Sequence, residues 1–500
     1  MTEPLSILRS TFGFSEFRGH QAEVVARVMA GKHTLAVMPT GAGKSLCYQV
    51  PALARAGTAL VISPLIALMH DQIRAADGFG IKAAALTSAD EDREETVARL
   101  RRGDLDILYV APERASGEGF KNLLSQIPLS LIAIDEAHCV SEWGHDFRPD
   151  YRLLRPLLDR FPGVPRLALT ATADRQTRAD ILVQLGIPED GLVLAGFDRP
   201  NIRYHVHARD GIGAQLKALM SEHPGPGIVY ATSRAATEKL AEQLGRSGRK
   251  VLAYHAGLDA RVRAANQRAF VTSEDMVMVA TIAFGMGIDK PDVRFVAHAG
   301  LPKSIEAYYQ EIGRAGRDGL PADTLTLYGL EDMRLRRLQV EESAASEEQK
   351  RVERQRLNAL VSLCEAPRCR RQTLLAYFAE AVEPCGNCDL CNGNASTFDG
   401  TVEAQKILSA IARTGEIFGA EHLVNVLVGE ATEAVRRHRH DALKTFGIGK
   451  DRSKGEWRSL IRQLYAAGLV SVELDGYGSF TLTERGVGVL KGKERIELRA

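Results

Sequence analysis

Short apolar runs that stay apolar along their whole length constrain this chain more than any other feature. The first set is TLAVM (34–38), ALVIS (59–63), DILYV (106–110), LIAID (131–135) and RLALT (166–170). After residue 200 the series restarts with GIVYA (227–231), VLAYH (251–255), VMVAT (277–281), RFVAH (294–298) and TLTLY (324–328). A strand with one wet face alternates apolar and polar residues, whereas a run without alternation is buried on both faces. Stretches of helical pattern separate the runs, so each set predicts a parallel sheet covered by helices. Two sets predict two α/β domains. FDRPNIRY (197–204), with Arg-Pro-Asn inside it, reads as the linker between them.

At 500 residues the chain is too long for one ordinary core, and three or four domains are expected. Apolar residues make up 45% and charged residues 25%, which places it among soluble globular proteins. No segment approaches the roughly 18 apolar residues of a membrane span, and MTEPLSILRS lacks a signal-peptide pattern, so a cytoplasmic protein with no membrane partner is expected. The net charge of +1 carries no nucleic-acid signal, but residues 436–462 hold nine Lys/Arg against three Asp/Glu. Such a cluster fits either a phosphate-binding surface or a solvated helix face.

MPTGAGKS (38–45) follows the first strand and precedes a helical stretch. Gly41 and Gly43, after Thr40, let backbone N–H groups turn toward a phosphate. Lys44 would reach the outer phosphates, and the Ser45 hydroxyl would hold Mg²⁺. Met38 stands where the full P-loop pattern has glycine. Asp135 and Glu136 end the LIAI strand and would lie beside this turn at the carboxyl edge of the sheet. There Asp135 would orient Mg²⁺ through water and Glu136 would polarise the attacking water. In the second set, QEIGRAGRDG (310–319) places Arg314 and Arg317 three residues apart, on one face if helical. Charge on a transferring phosphoryl group calls for such arginines.

Cys47, Cys139 and Cys364 are scattered, whereas Cys369, Cys385, Cys388 and Cys391 are grouped. Four grouped thiolates suit tetrahedral Zn²⁺, and an iron–sulfur cluster is the rival. The intervening RRQTLLAYFAE looks helical. Upstream, residues 331–365 read as long charged helix with no turn signal before Pro367; downstream, 392–400 reads as a linker. Residues 401–500 read as helices plus a short hairpin, VSVEL, DGYG (475–478) and SFTLT, with basic flanks. The pattern is that of a winged helix. Lys444, Lys450, Arg452, Lys454, Arg458 and Arg462 would contact phosphates without reading sequence, and Tyr477 at the hairpin tip would stack on a terminal base pair or form an ordinary exposed turn.

These motifs, in this order, resemble superfamily 2 helicases, and specifically the RecQ family of DNA helicases, bacterial type. The resemblance rests on FGFSEFRGHQ (12–21), MPTGAGKSLCYQVP (38–51), DEAHCVSEWGHDFRPDY (135–151), LTATA (169–173), ATIAFGMGIDKPDVR (280–294) and YYQEIGRAGRDG (308–319). It implies two tandem RecA-like parallel-sheet domains (1–203 and 204–332), a helical zinc-binding subdomain (333–398) and a winged-helix domain (399–500). It implies ATP, Mg²⁺ and one structural Zn²⁺ on the four grouped cysteines. It also implies 3′-to-5′ movement on single-stranded DNA with unwinding of forked or duplex DNA, in recombination and repair, and single-stranded-DNA-binding protein as a partner. Gln21 and Arg18 would contact adenine, with Phe14 stacking on the base. Arg317 would be the arginine finger with Arg314 beside it, and Thr170 and Thr172 would link the nucleotide site to the DNA groove. Trp143, Phe147 and Arg148 would form an aromatic-rich loop under single-stranded DNA, with His138 or His145 passing the signal; the alternative is that the aromatics are local core. An RNA-remodelling ATPase and a non-enzymatic DNA-binding regulator are the competing functions.

Overall fold

The computed structural model describes residues 3–499 apart from 65, 88–91, 145, 286, 287, 289, 368, 394, 395 and 473–478. The chain divides into two compact units. One comprises Met1–Ile202, Gly213–Ala297 and Glu306–Thr324, and the other Arg203–Ile212, His298–Ile305 and Leu325–Ala500.

The first sheet has strands β1 (Thr34–Val37), β2 (Thr58–Ile62), β3 (Ala83–Leu86), β4 (Ile107–Val110), β5 (Leu129–Ile134), β6 (Arg166–Thr170) and β7 (Leu192–Leu194), in the order β3-β4-β2-β5-β6-β1-β7. Neighbouring strands run parallel. The apolar runs are β1, β2, β4, β5 and β6, almost wholly buried as their lack of alternation requires. Two strands are additional. Ala83–Leu86 is mostly alanine, which has little strand preference, and Leu192–Leu194 is only three residues long. The register places the site. Leu35 and Ile134 both pair with Ala168, so the turn after β1 and the carboxylates after β5 emerge at one edge with Thr170 between them.

The second sheet has strands β8 (Ile202–Ala208), β9 (Gly227–Tyr230), β10 (Val251–Tyr254), β11 (Val277–Ala280), β12 (Phe295–His298) and β13 (Ala322–Tyr328), in the order β10-β11-β9-β12-β13-β8. The expected linker at 197–204 is thereby corrected, because its last residues begin β8. That strand closes one edge of the sheet and alternates buried residues with exposed or half-buried ones over IRYH. A search for continuous apolar runs passes over such a strand.

Three further expectations change. Residues 331–365 are two helices, Leu330–Glu341 and Glu347–Cys364. Arg354 pairs with Glu341, and Arg337 with Asn358 at 3.1 Å, so the two run antiparallel. Ser346 starts the second helix through a reciprocal cap with Gln349. The expected linker 392–400 contains strand β14 (Thr397–Asp399), paired antiparallel with a strand near the chain end, Glu497–Arg499. Arg314 and Arg317 are not on a helix, since helix Ile305–Ile312 stops before them and they lie in the turns that follow.

The C-terminal helices pack around a fully buried Trp457, whose Nε1–H donates to the Gly449 carbonyl at 2.7 Å. The hairpin pairs Val470 with Leu482; its tip, with Tyr477, lies outside the described residues, as does His145. Among the described residues no helix is long and apolar enough to cross a membrane.

Candidate functional site

The turn after β1 is built by its glycines. Gly41 and Gly43 have φ of 82° and 70°, the left-handed region where a Cβ is strained. A Cβ on Gly43 would also sit 2.5 Å from Gln21 Nε2. The Lys44 ammonium folds back to donate to the Met38 carbonyl at 3.3 Å.

One cavity of about 310 Å³ is walled by Thr40, Lys44, Ser45, Asp135, Glu136, Arg314 and Arg317. Burial pushes the Lys44 ammonium down, while the charges of Glu136 and Asp135 pull it back up. Burial, helped by the neighbouring Glu136 charge, pushes Asp135 up to about 7. The Glu136 carboxyl is also raised by burial, against Lys44 and Arg314. Glu136 itself sits at φ 48°, strained for a residue with a side chain, a feature concentrated at functional sites. Its Oε2 and Thr40 Oγ1 are buried without a hydrogen-bond partner among the described residues. The site is thus an incomplete shell of hard oxygens flanked by cations, the composition that Mg²⁺ and phosphates complete.

A second cavity of about 380 Å³ adjoins it, lined by Phe14, Arg18, Gln21, Gly41 and Gly43. Phe14 is 40% exposed and lies under the Arg18 guanidinium, 5.7 Å from ring centre to Cζ. Gln21 is buried and already bonded: its Nε2 donates to Ala42 O at 2.8 Å and Gly43 O at 3.3 Å, and its Oε1 accepts from Arg18 N–H at 2.9 Å. Any base-edge contact by Gln21 therefore shares an amide that also holds the glycine turn.

A polar chain leads away from Glu136. His138 Nδ1 lies 3.4 Å from Glu136 Oε2 and 3.0 Å from Thr170 Oγ1. Thr170 Oγ1 donates to Thr172 O at 3.2 Å, and Thr172 Oγ1 accepts from Gln310 Nε2 at 3.1 Å. Gln310 precedes the arginine turn, a link no local pattern in the sequence reveals.

The loop after His138 is held at its neck. Trp143 N–H donates to Ser141 Oγ at 3.2 Å, and its carbonyl accepts from Thr177 Oγ1 at 3.1 Å. Phe147 packs under Arg152, and Arg148 reaches Asp146 and the Pro64 carbonyl. Trp143 and Phe147 are half-buried.

The four grouped cysteines come together, with their sulfurs within 4.8 Å of one another. Cys369 and Cys385 are 3.4 Å apart, and Cys385 and Cys391 3.8 Å. Tetrahedral Zn²⁺ with Zn–S bonds of about 2.3 Å has edges of about 3.8 Å, so the donor set fits. The neighbours of two ligands clamp the site. Arg370, 2% exposed, pairs with Asp389 at 2.9 Å and donates to the Leu363 and Cys364 carbonyls.

The basic cluster is largely neutralised. Arg452 pairs with Glu403 and Glu456, Lys454 with Glu430, and Arg458 with Glu421. Arg462 is a correction, because it is 9% exposed and bonded to the buried Glu365, which also meets Arg499. Within the cluster, Arg436, Arg439, Lys444 and Lys450 are exposed and make no ion pair with the described residues.

Comparison with known proteins agrees with this layout. Residues 18–181 match the DEAD/DEAH box helicase model, 212–319 the helicase conserved C-terminal domain, 330–392 the RecQ zinc-binding model and 394–500 the RQC domain. The ATP-dependent DNA helicase RecQ of Pasteurella multocida is 43% identical over 99% of this chain and 79% of its own length. That of Haemophilus influenzae is 44% identical over 99% and 80%. That of Bacillus subtilis is 39% identical over 98% and 83%. Among solved structures, Mycobacterium smegmatis helicase Lhr bound to single-stranded DNA and AMP-PNP aligns with 98% of this chain and 62% of its own at TM-score 0.55 and 18% identity. The DUF1998 helicase MrfA bound to DNA aligns with 66% and 48% at TM-score 0.56 and 20% identity, and both likenesses speak to the fold alone. On its whole-length match to the bacterial relatives, the chain belongs to the RecQ family of ATP-dependent DNA helicases.

Proposed function

We propose that this chain hydrolyses ATP to move 3′ to 5′ along single-stranded DNA and separate duplex ahead of it, in recombination and repair. The observation that carries the ATPase reading is the single cavity holding Lys44, Ser45, Asp135, Glu136, Arg314 and Arg317. Lys44 contacts the outer phosphates. Ser45 and Asp135 supply oxygens for Mg²⁺, which when bound neutralises charge on the phosphates. Glu136 takes a proton from the attacking water, and its raised affinity for protons suits that task. Arg317, with Arg314, meets charge on the transferring group. Phe14, Arg18 and Gln21 hold the base, and Thr40, Gly41 and Gly43 shape the turn.

Trp143, Phe147 and Arg148 meet single-stranded DNA, and His138, Thr170, Thr172 and Gln310 connect that loop with the nucleotide cavity. The winged helix contacts duplex phosphates through Arg436, Arg439, Lys444 and Lys450, with Arg452 and Lys454 released from their ion pairs when a phosphate competes. The four cysteines hold one structural Zn²⁺. The domains are 1–203, 204–332, 333–398 and 399–500; the protein works in the cytoplasm, with single-stranded-DNA-binding protein as a partner.

The test is strand separation on 3′- and 5′-tailed duplexes, with ATP and Mg²⁺ present or withheld. Unwinding of the 3′-tailed substrate alone, lost in Lys44→Ala while DNA binding persists, is expected. Unwinding by the Lys44 variant, or of the 5′-tailed substrate alone, refutes the reading.

A further inference from the structure

The segment read as a linker carries a side chain with an uncommon set of partners. Arg199 Nη1 donates to the Thr40 carbonyl at 2.9 Å and the Gly313 carbonyl at 3.2 Å. Its Nη2 donates to the Ala315 and Gly316 carbonyls, both at 2.9 Å. One planar fork thus joins the phosphate-binding turn to the turn that carries Arg314 and Arg317. Asn201, two residues on, donates to Gly316 O at 2.8 Å and Leu320 O at 2.9 Å, fixing the far side of that turn.

The junction has no slack. A Cβ on Gly313 would fall 1.9 Å from Thr40 Oγ1, and one on Gly41 would lie 3.2 Å from Arg317 Cγ and 3.5 Å from Arg199 Nη1. Gly316 sits at φ 54°, where a side chain is strained, and a Cβ there would meet Asn201 Nδ2 at 2.5 Å. The backbone of the arginine turn therefore lies against the phosphate turn because Gly41 and Gly313 permit it, Gly316 leaves room for Asn201, and Arg199 ties the two turns together. Arg317 follows directly after Gly316, the last carbonyl that Arg199 holds, and its own Nη1 donates to Ile288 O at 3.0 Å.

We infer that Arg199 is a positioning residue for ATP hydrolysis, holding the Arg317 turn in register with the phosphate turn. It touches neither the phosphates nor the water; it acts through the backbone of residues 40 and 313–316. The inference rests on Arg317 being the arginine finger. Guanidinium suits the task because its donors are fixed in a plane on separate nitrogens and can span two turns, whereas an ammonium's three donors radiate from one nitrogen. Misplacement of a reacting group by about 1 Å costs on the order of 10²-fold in rate.

The experiment is a two-by-two comparison of R199Q and R317A on the full chain, measuring kcat and KM for DNA-stimulated ATP hydrolysis, with fluorescent nucleotide binding alongside. R317A lowering kcat is the premise, and its failure to do so overturns the finger reading itself. Given that premise, R199Q is expected to lower kcat about 10- to 100-fold with KM and nucleotide binding within about twofold. In the R317A background the same change is expected to do nothing further, because the group it positions is gone. A multiplicative loss in the double variant, or a rise in KM with kcat kept, overturns the inference. Should R199Q fail to fold, R199K, which keeps the charge without the fork, carries the same comparison, with the same outcomes deciding.

Discussion

Asp135 shows how one residue trades stability for chemistry. Burial raises it to about 7, so the folded protein retains a proton that the unfolded chain releases near pH 4. Stability from this group is full below pH 4 and is lost as pH rises through about 7, where a desolvated charge must form. Asp135→Asn removes that charge. The variant is expected to exceed the parent's stability at pH 8 by a free energy of order a few kcal/mol, and to match it only below about pH 4. Melting curves across that range without nucleotide check this, and equal melting at pH 8 would refute it. Asp135, Glu136, Lys44 and Ser45 are legible in the sequence because each lies in the turn that follows a strand and its neighbours specify that turn. Arg199 was not legible as a working residue, since its partners are carbonyls 114 to 159 positions away.

At the scale of elements, the loop 141–148 and the cysteine site each have a hinge of named bonds. Trp143→Ala keeps the two neck bonds, because Ser141 and Thr177 meet Trp143 through its main-chain N–H and carbonyl. The variant is expected to bind nucleotide normally yet lose about 1–3 kcal/mol of single-stranded DNA affinity, together with DNA stimulation of hydrolysis. Titrating single strands against both proteins decides it, and parallel loss of nucleotide affinity would mark the loop as scaffold. Arg370→Ala strands Asp389 without its partner and is expected to cost about 3 kcal/mol or more, with faster zinc loss to a chelator. A variant with unchanged denaturation and metal release would show the pair to be dispensable. The capping sequence Ser346 to Gln349 was present to be read, but the charged, helix-favouring residues on both sides hid the break. In contrast, β8 escaped because it alternates instead of staying apolar, and β14 because it is only three residues long and pairs near the chain end.

For the whole molecule, the nucleotide cavity lies in one compact unit and the cysteine site in the other. Calorimetry is expected to show two transitions. A non-hydrolysable ATP analogue at about 100 times its Kd should raise one by about 2.7 kcal/mol, and a zinc chelator should lower the other. One transition moved by both reagents would mean a single cooperative unit.

Taken by itself, the sequence determined the parallel sheets, the glycine turn with its lysine, the paired carboxylates and the four-cysteine spacing. All are short-range signals, because periodicity, turn chemistry and ligand spacing act over a few residues. Only the tertiary structure decided which basic residues are free. Arg462 is spent on buried Glu365, whereas Arg436, Arg439, Lys444 and Lys450 stand open. It alone brought Gln310 to Thr172 and Arg199 to two turns at once. The reason is physical: a hydrogen bond or ion pair is fixed by position in space, and chain packing puts together residues whose local sequences carry no mark of each other.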